Sequence, residues 1–191
     1  MSSKTKPEKV DKHAILALAD GSVFKGIGFG AERKITGEVV FNTGMVGYPE
    51  SITDPSYNGQ ILTQTYPLIG NYGVCPKHFE SDSPKIEGFA IRELCREPSH
   101  WASKKSLDEW LTESGIPGIE GIDTRMLTKK LRIYGVMLGL LWVYPKNDGP
   151  SKDEVLNEVK NIPDPNKTDL AKEVATERII RHDIGGKYNV A

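Results

Sequence analysis

The stretch Ala14-Ile15-Leu16-Ala17-Leu18-Ala19-Asp20-Gly21-Ser22-Val23-Phe24-Lys25-Gly26 sets the fold class. Two apolar-rich runs flank an Asp-Gly pair, the pattern of an antiparallel hairpin. A type I′ turn is expected at Asp20-Gly21, because both of its central residues take positive φ. Further strand-like runs follow at short intervals: Glu38-Val39-Val40-Phe41, Gln60 to Tyr66, and Lys85 to Ile91, which alternates as a half-buried strand does. Val136 to Val143 is apolar without a break and reads as a central strand.

Helices are signalled in the second half of the chain. Ser106-Leu107-Asp108-Glu109 is a capping box, with a hydroxyl serving the backbone three residues on and a glutamate reaching back. The helix it opens is expected to stop near Gly115. Asp123 caps a second helix whose Met126, Leu127, Leu131 and Tyr134 are expected on one face. Its basic Lys129, Lys130 and Arg132 lie toward the carboxyl end, where the helix dipole favours them, and Gly135 is a natural stop. Ser151-Lys152-Asp153-Glu154 repeats the capping box ahead of a third helix, Val155 to Lys160.

Around these elements the composition is ordinary for a globular domain. The 191 residues carry 25 Lys+Arg against 26 Asp+Glu, a net charge of -1, and 38% are hydrophobic, enough to bury a core. That balance gives no electrostatic footprint for nucleic acid or an anionic membrane. Two cysteines make no disulfide framework, and the longest apolar run is too short to span a bilayer. The expectation is a protein of a reducing, cytoplasmic compartment. Residues 1–13 are polar and read as a disordered lead-in, residues 14–160 as the domain, and residues 161–191 as a linker. The last residues, Ile184 to Ala191, look like the start of a further strand, so the chain is expected to continue into another domain.

Several segments carry residues with candidate chemistry. Gly26-Ile27-Gly28-Phe29-Gly30 invites a phosphate-loop reading, but such a loop leads into a helix amino terminus, and Ala31 to Gly37 is no helix. The glycines are expected to mark a closely packed strand. Cys75 with His78 and Cys95 with His100 lack the paired spacing of structural zinc, and no metal site is expected. A Cys-His nucleophile stays open from spacing alone. The basic run on the second helix reads as a solvated face, and Trp101, Trp110 and Trp142 as core or interface anchors. The densest segment runs from Phe41 to Gly73, where glycine, proline, asparagine and hydroxyl residues crowd together. A structured loop of this kind exposes backbone N–H groups and hydroxyls, as polar binding sites do, although an elaborate turn has the same composition.

Gly37-Glu38-Val39-Val40-Phe41-Asn42-Thr43-Gly44-Met45, Gly47-Tyr48-Pro49-Glu50, Thr53-Asp54-Pro55-Ser56-Tyr57 and Tyr66-Pro67-Leu68-Ile69-Gly70-Asn71 together resemble the amino-terminal domain of the carbamoyl-phosphate synthetase small chain. Gly121 to Lys129 resembles that family's helix start, and Asp169 to Val174 its exit segment. The resemblance covers roughly residues 14–174 in ordered blocks. It is to the glutamine-dependent type, and Gly47-Tyr48-Pro49-Glu50 leans toward the eukaryotic pyrimidine-pathway form, with arginine supply left open.

The resemblance implies an α/β fold: a mixed β-sheet curled into a barrel-like core with a few packed helices, of the swivelling β/β/α type. It implies that a class I glutamine amidotransferase domain follows, holding the catalytic cysteine, histidine and glutamate, so no catalytic residue is expected in this chain and the fragment alone is expected to be inactive. The family makes carbamoyl phosphate from glutamine, bicarbonate and two ATP. By resemblance, this domain packs on the synthetase large chain or region, completes the glutamine site, and borders the ammonia path. Ser56 is implied as the glutamine contact, and Gly44, Met45 and Asp54 as positions near the ammonia path. No cofactor is implied here; ATP and Mg belong to the synthetase partner. The alternatives are a free-standing binding or scaffold module with the same fold, and a self-contained thiol hydrolase.

Overall fold

The structure is a computed structural model that describes residues 12–163 and 169–175. Seven strands close a barrel in the order β1 (Lys12–Leu18), β2 (Val23–Gly30), β8 (Pro117–Glu120), β6 (Gly88–Ala90), β4 (Gln60–Gln64), β3 (Lys34–Asn42), β9 (Met137–Pro145). β9 then returns to β1, pairing Leu16 with Leu141. The pairs from β3 through β4 and β6 to β8 are parallel, and the remaining pairs are antiparallel. A two-stranded parallel sheet, β5 (Leu68–Ile69) and β7 (Glu93–Leu94), stands outside the barrel. The mixed α/β barrel expected from the resemblance is the fold observed.

Strand alternation builds the core. Ala14, Leu16 and Leu18 of β1, Ile61 of β4, Ile119 of β8, and Leu141 and Val143 of β9 share one buried cluster with residues from β2, β3 and β6. A cluster fed by all seven strands is the barrel interior. The alternate residues face outward: Ile15, Ala17 and Leu140 pack against Val155 and Val159 of α4 (Lys152–Lys160). Leu62 and Phe29 pack against Ile52 of α1 (Tyr48–Thr53) and Leu107, Trp110 and Leu111 of α2 (Leu107–Glu113). Each fully buried Leu, Ile or Phe contributes about 1.5–3 kcal/mol, so the closed barrel is the main store of stability.

The helix signals are met closely. Both capping boxes form at α2 and α4, and the Ser106 amide and hydroxyl hold the Glu109 carboxyl below its usual range. Asp123 accepts from the Met126 N–H at 2.8 Å at the start of α3 (Thr124–Tyr134), and Gly135 ends that helix with φ 86. The expected face is corrected, however. Leu127 and Leu131 are buried in the barrel end together with Thr124 and Thr128, whereas Met126 is 49% and Tyr134 72% exposed. The polar threonines belong on the inner face because Thr128 pairs with the Thr65 hydroxyl at 2.7 Å and Thr124 donates to the Thr65 carbonyl.

Other expectations are also corrected. The Ala14 hairpin forms, but Asp20 has negative φ and Gly21 alone is left-handed at φ 87, so the turn is a three-residue loop closed by Leu18 and Ser22 rather than a type I′ turn. The first strand begins at Lys12, two residues before Ala14, and the strand expected over Lys85 to Ile91 is confined to Gly88–Ala90. Trp101 is 90% exposed, Trp110 is buried, and Trp142 is half-buried with the Lys34 ammonium 4.6 Å from its ring. Asp169 caps a short α5 (Leu170–Val174) inside the expected linker. The lead-in at residues 1–11 and the strand-like end from Ile184 lie outside the described residues.

The glycine-rich run sits in β2, as expected of a packed strand. A Cβ on Gly26 would lie 2.2 Å from the Glu120 carbonyl oxygen, and one on Gly28 2.7 Å from Val143.

Candidate functional site

The segment from Asn42 to Asn58 follows β3, at the end of the barrel where the parallel strands finish. Asn42 organises it. Its Oδ1 accepts from the Gly44 N–H at 2.7 Å, and its Nδ2 donates to the Ser51 hydroxyl at 3.0 Å and the Tyr57 hydroxyl at 3.4 Å. From the neighbouring strand, the Gln64 amide donates to the Gly44 carbonyl at 2.7 Å. Gly44 is thereby held on both sides, while Met45 and Val46 beyond it are 68% and 74% exposed.

Gly47, with φ 88, turns the chain into α1. No helical signal is legible here in the sequence, because Gly47 and Pro49 read as loop punctuation. Pro49 in fact sits in the first turn, where its missing N–H has no helical partner to lose. At the other end of α1, the buried Thr53 hydroxyl donates to the Pro49 carbonyl at 2.8 Å and accepts from the Glu80 N–H at 2.9 Å. Asp54 then caps a single 3-10 turn, Pro55–Tyr57, its Oδ1 accepting from the Ser56 N–H at 2.8 Å. Ser56 is exposed on this turn, and its hydroxyl takes no partner among the described residues. Two residues on, the Asn58 amide donates to Glu173 of α5 at 3.1 Å.

Three of the four positions singled out in the sequence, Gly44, Asp54 and Ser56, thus belong to one hydrogen-bonded assembly, and Met45 stands on the loop beside it. Gly44 and Asp54 are structural members of it, while Met45 and Ser56 present side chains to solvent. Sequence reasoning missed Asn42, Gln64 and Tyr72, whose hydroxyl accepts from the Gly47 and Tyr48 N–H groups. Their signal was composition alone, since each acts on a residue distant in the chain or on another element.

Cys75 and Cys95 are free and half-buried; the Cys95 thiol faces the Glu97 carbonyl at 3.5 Å. His78 Nδ1 lies 3.6 Å from Glu50 Oε1, and His100 Nδ1 accepts from the Ala102 N–H. Among the described residues the His78 N–H donates to the Cys75 carbonyl, but no cysteine thiol is hydrogen-bonded to a histidine ring, and no group of three or more His, Cys, Asp or Glu is placed to hold a metal ion. No helix among them is long and apolar enough to cross a membrane. A cleft of about 370 Å³ is lined by Val74, Phe79, Lys104, Lys105 and Trp110, among others, and includes none of the four positions.

The family profile described as carbamoyl-phosphate synthase small chain, CPSase domain, matches residues 16–141, from within β1 to within β9, and takes in the whole Asn42 to Asn58 segment. The chain belongs to the carbamoyl-phosphate synthase small-chain family. It is 47% identical over 177 residues to the carbamoyl phosphate synthase small chain of Archaeoglobus fulgidus, a match covering 93% of this chain and 48% of the relative. It is 51% identical over 185 residues to the small chain of Fusobacterium nucleatum, covering 92% and 50% respectively. The pyrimidine-specific small chain of Halalkalibacterium halodurans is 45% identical over 185 residues, covering 92% and 49%. The chain therefore spans about half the length of the curated small chains it matches.

Proposed function

We propose that this small-chain domain packs on the synthetase large chain or region of a glutamine-hydrolysing carbamoyl-phosphate synthase and completes one wall of its glutamine site. In that reading Ser56 holds glutamine. A hydroxyl both donates and accepts, so it can serve either the carboxylate or the ammonium of an amino acid. Gly44, Met45 and Asp54 border the path by which ammonia leaves toward the synthetase. ATP and magnesium are bound by the synthetase partner, where bicarbonate is also used. In the same reading the chain alone hydrolyses no glutamine, because by resemblance the catalytic cysteine, histidine and glutamate belong to a glutamine amidotransferase domain.

The observation that carries the reading is the state of Ser56. Its backbone is fixed by Asp54, its hydroxyl is exposed and has no partner among the described residues, and the Asn58 to Glu173 hydrogen bond brings α5 beside it. By the resemblance, α5 belongs to the segment that leads toward the glutaminase domain, so that domain would emerge next to the serine offered to its substrate.

The test is calorimetric titration of this chain, and of the full-length small chain, against the separately expressed synthetase chain. Saturable one-to-one binding is expected for the full-length chain at least. Absence of binding by both, with folded samples, would overturn the assignment and favour a free-standing module.

A further inference from the structure

The start of α1 is built unusually. The first N–H groups of a helix lack partners within it, and a Ser, Thr, Asp or Asn at the N-cap normally serves them. Here the N-cap is Gly47, which has no side chain to offer. Glu50 stands where a capping-box glutamate reaches back to the N-cap amide. Instead, Glu50 turns Oε1 toward His78, and its Oε2 is buried with no hydrogen-bond partner among the described residues. The missing acceptor is supplied from 25 residues away: the Tyr72 hydroxyl oxygen receives the Gly47 N–H at 2.7 Å and the Tyr48 N–H at 3.2 Å.

Tyr72 is itself held firmly. Its ring stacks on Tyr48 with centroids 4.3 Å apart, and the Tyr48 hydroxyl donates to the carbonyl of Gly73, the residue after Tyr72. Burial pushes the Tyr72 phenol up, the two amides pull it down, and the Glu50 carboxylate adds to the rise.

We propose that Tyr72 is a positioning residue for Ser56: its phenol oxygen caps α1 from outside the helix and so fixes the rigid element that carries Ser56. The coupling is short. α1 ends at Thr53, Asp54 follows, and the Asp54 carboxylate holds the Ser56 amide. The same cap fixes Gly47 and with it the far end of the Gly44 to Val46 loop. The inference rests on the reading of Ser56 as a glutamine contact.

The experiment uses the full-length small chain assembled with its synthetase, comparing wild type, Ser56→Ala and Tyr72→Phe in glutamine-dependent and ammonia-dependent carbamoyl phosphate synthesis. Tyr72→Phe keeps the ring stack and removes the capping oxygen. The expected result is a KM for glutamine raised about 3- to 10-fold, the size of a lost helix cap, with the ammonia-dependent rate unchanged. A Ser56→Ala effect without any Tyr72→Phe effect overturns the positioning role alone. No effect of Ser56→Ala overturns the reading on which it rests. Equal loss of glutamine-dependent and ammonia-dependent activity in Tyr72→Phe also overturns it, since that marks a general structural role. Should Tyr72→Phe not fold, amide hydrogen exchange on the wild-type chain decides: Gly47 and Tyr48 are expected to be protected, and rapid exchange at both overturns the cap.

Discussion

The ring of Phe29 fills the space over Gly118, its partner across the β2–β8 pair, so closely that a Cβ on the glycine would lie 2.4 Å from the ring's Cζ. Phe29 is 1% exposed and shares a buried cluster with Leu111, Trp110 and Ile116, so these side chains would have to shift for the ring to move. This contact joins the barrel wall to α2, and Gly30, the next residue, donates its N–H to Asp108 in the first turn of α2 at 2.7 Å.

Gly118→Ala is therefore expected to overpack the wall and to cost about 1–3 kcal/mol of unfolding free energy. Urea denaturation checks this, and the double variant with Phe29→Leu should recover part of the loss because the smaller side chain vacates the space. A neutral Gly118→Ala would show that the ring is not held where the structure has it.

Leu140 and Trp142 are neighbours on the outward face of β9 but differ in burial. Leu140 is fully buried against α4, so Leu140→Ala should cost about 2–5 kcal/mol. Trp142 is half-buried beneath Lys34, and Trp142→Ala should cost less than the leucine truncation. Thermal and denaturant unfolding of the two variants gives the order directly.

Ser56→Ala, placed in the full-length small chain, should raise the KM for glutamine by the equivalent of about 1–3 kcal/mol, the size of a lost hydrogen bond to a charged group. It should leave the stability of the chain nearly unchanged, because the hydroxyl has no partner among the described residues. Steady-state kinetics and a melting curve on the same sample separate the two effects.

Burial pushes the Tyr48 phenol far above its ordinary range, helped by its neighbour Tyr72, and burial raises Tyr72 as well. A phenol that stays protonated in the folded state stabilises the fold fully below the unfolded value of about 10, and that stabilisation is lost as pH rises above it. Unfolding free energy should therefore fall above pH of about 10 by as much as about 1.4 kcal/mol per pH unit for each such phenol. Tyr48→Phe should flatten that limb while costing about 1–2 kcal/mol at neutral pH, since the Gly73 carbonyl loses its donor. A profile unchanged by Tyr48→Phe would contradict the buried state of the phenol.

Much of the architecture was legible because its signals are local. Ser106 and Glu109, Ser151 and Glu154, and Asp123 with Gly135 mark helix ends through contacts within a few residues, and all formed. The strands over Ala14 to Gly26 and Val136 to Val143 carry their apolar patterns openly. Failures came where local and tertiary preferences disagreed. α1 hid behind Gly47 and Pro49, and β8 behind Pro117-Gly118, where the proline opens the strand and the glycine admits Phe29. Met126 and Tyr134, expected on one face with Leu127 and Leu131, are exposed, and Thr124 and Thr128 join the leucines in the buried face. Threonines took those places because Thr65 offers hydrogen bonds there.

The same division runs through the candidate site. The residues from Gly37 to Asn71 were enough to place the chain in its family and to draw attention to Ser56. They could not show that Asn42 ties two loops together, that Tyr72 caps a helix 25 residues away, or that Asn58 meets Glu173 across 115 residues. The sequence by itself determined the capped helices α2, α3 and α4, the first hairpin, the last barrel strand and the family. The tertiary structure alone decided barrel closure through β1 and β9, the strand register, and the partners of the site's amides. The physical reason is that caps and periodicity are satisfied within a turn or two of chain. Buried amides and apolar faces instead take whichever partner the closed barrel brings near, and sequence separation carries no record of that choice.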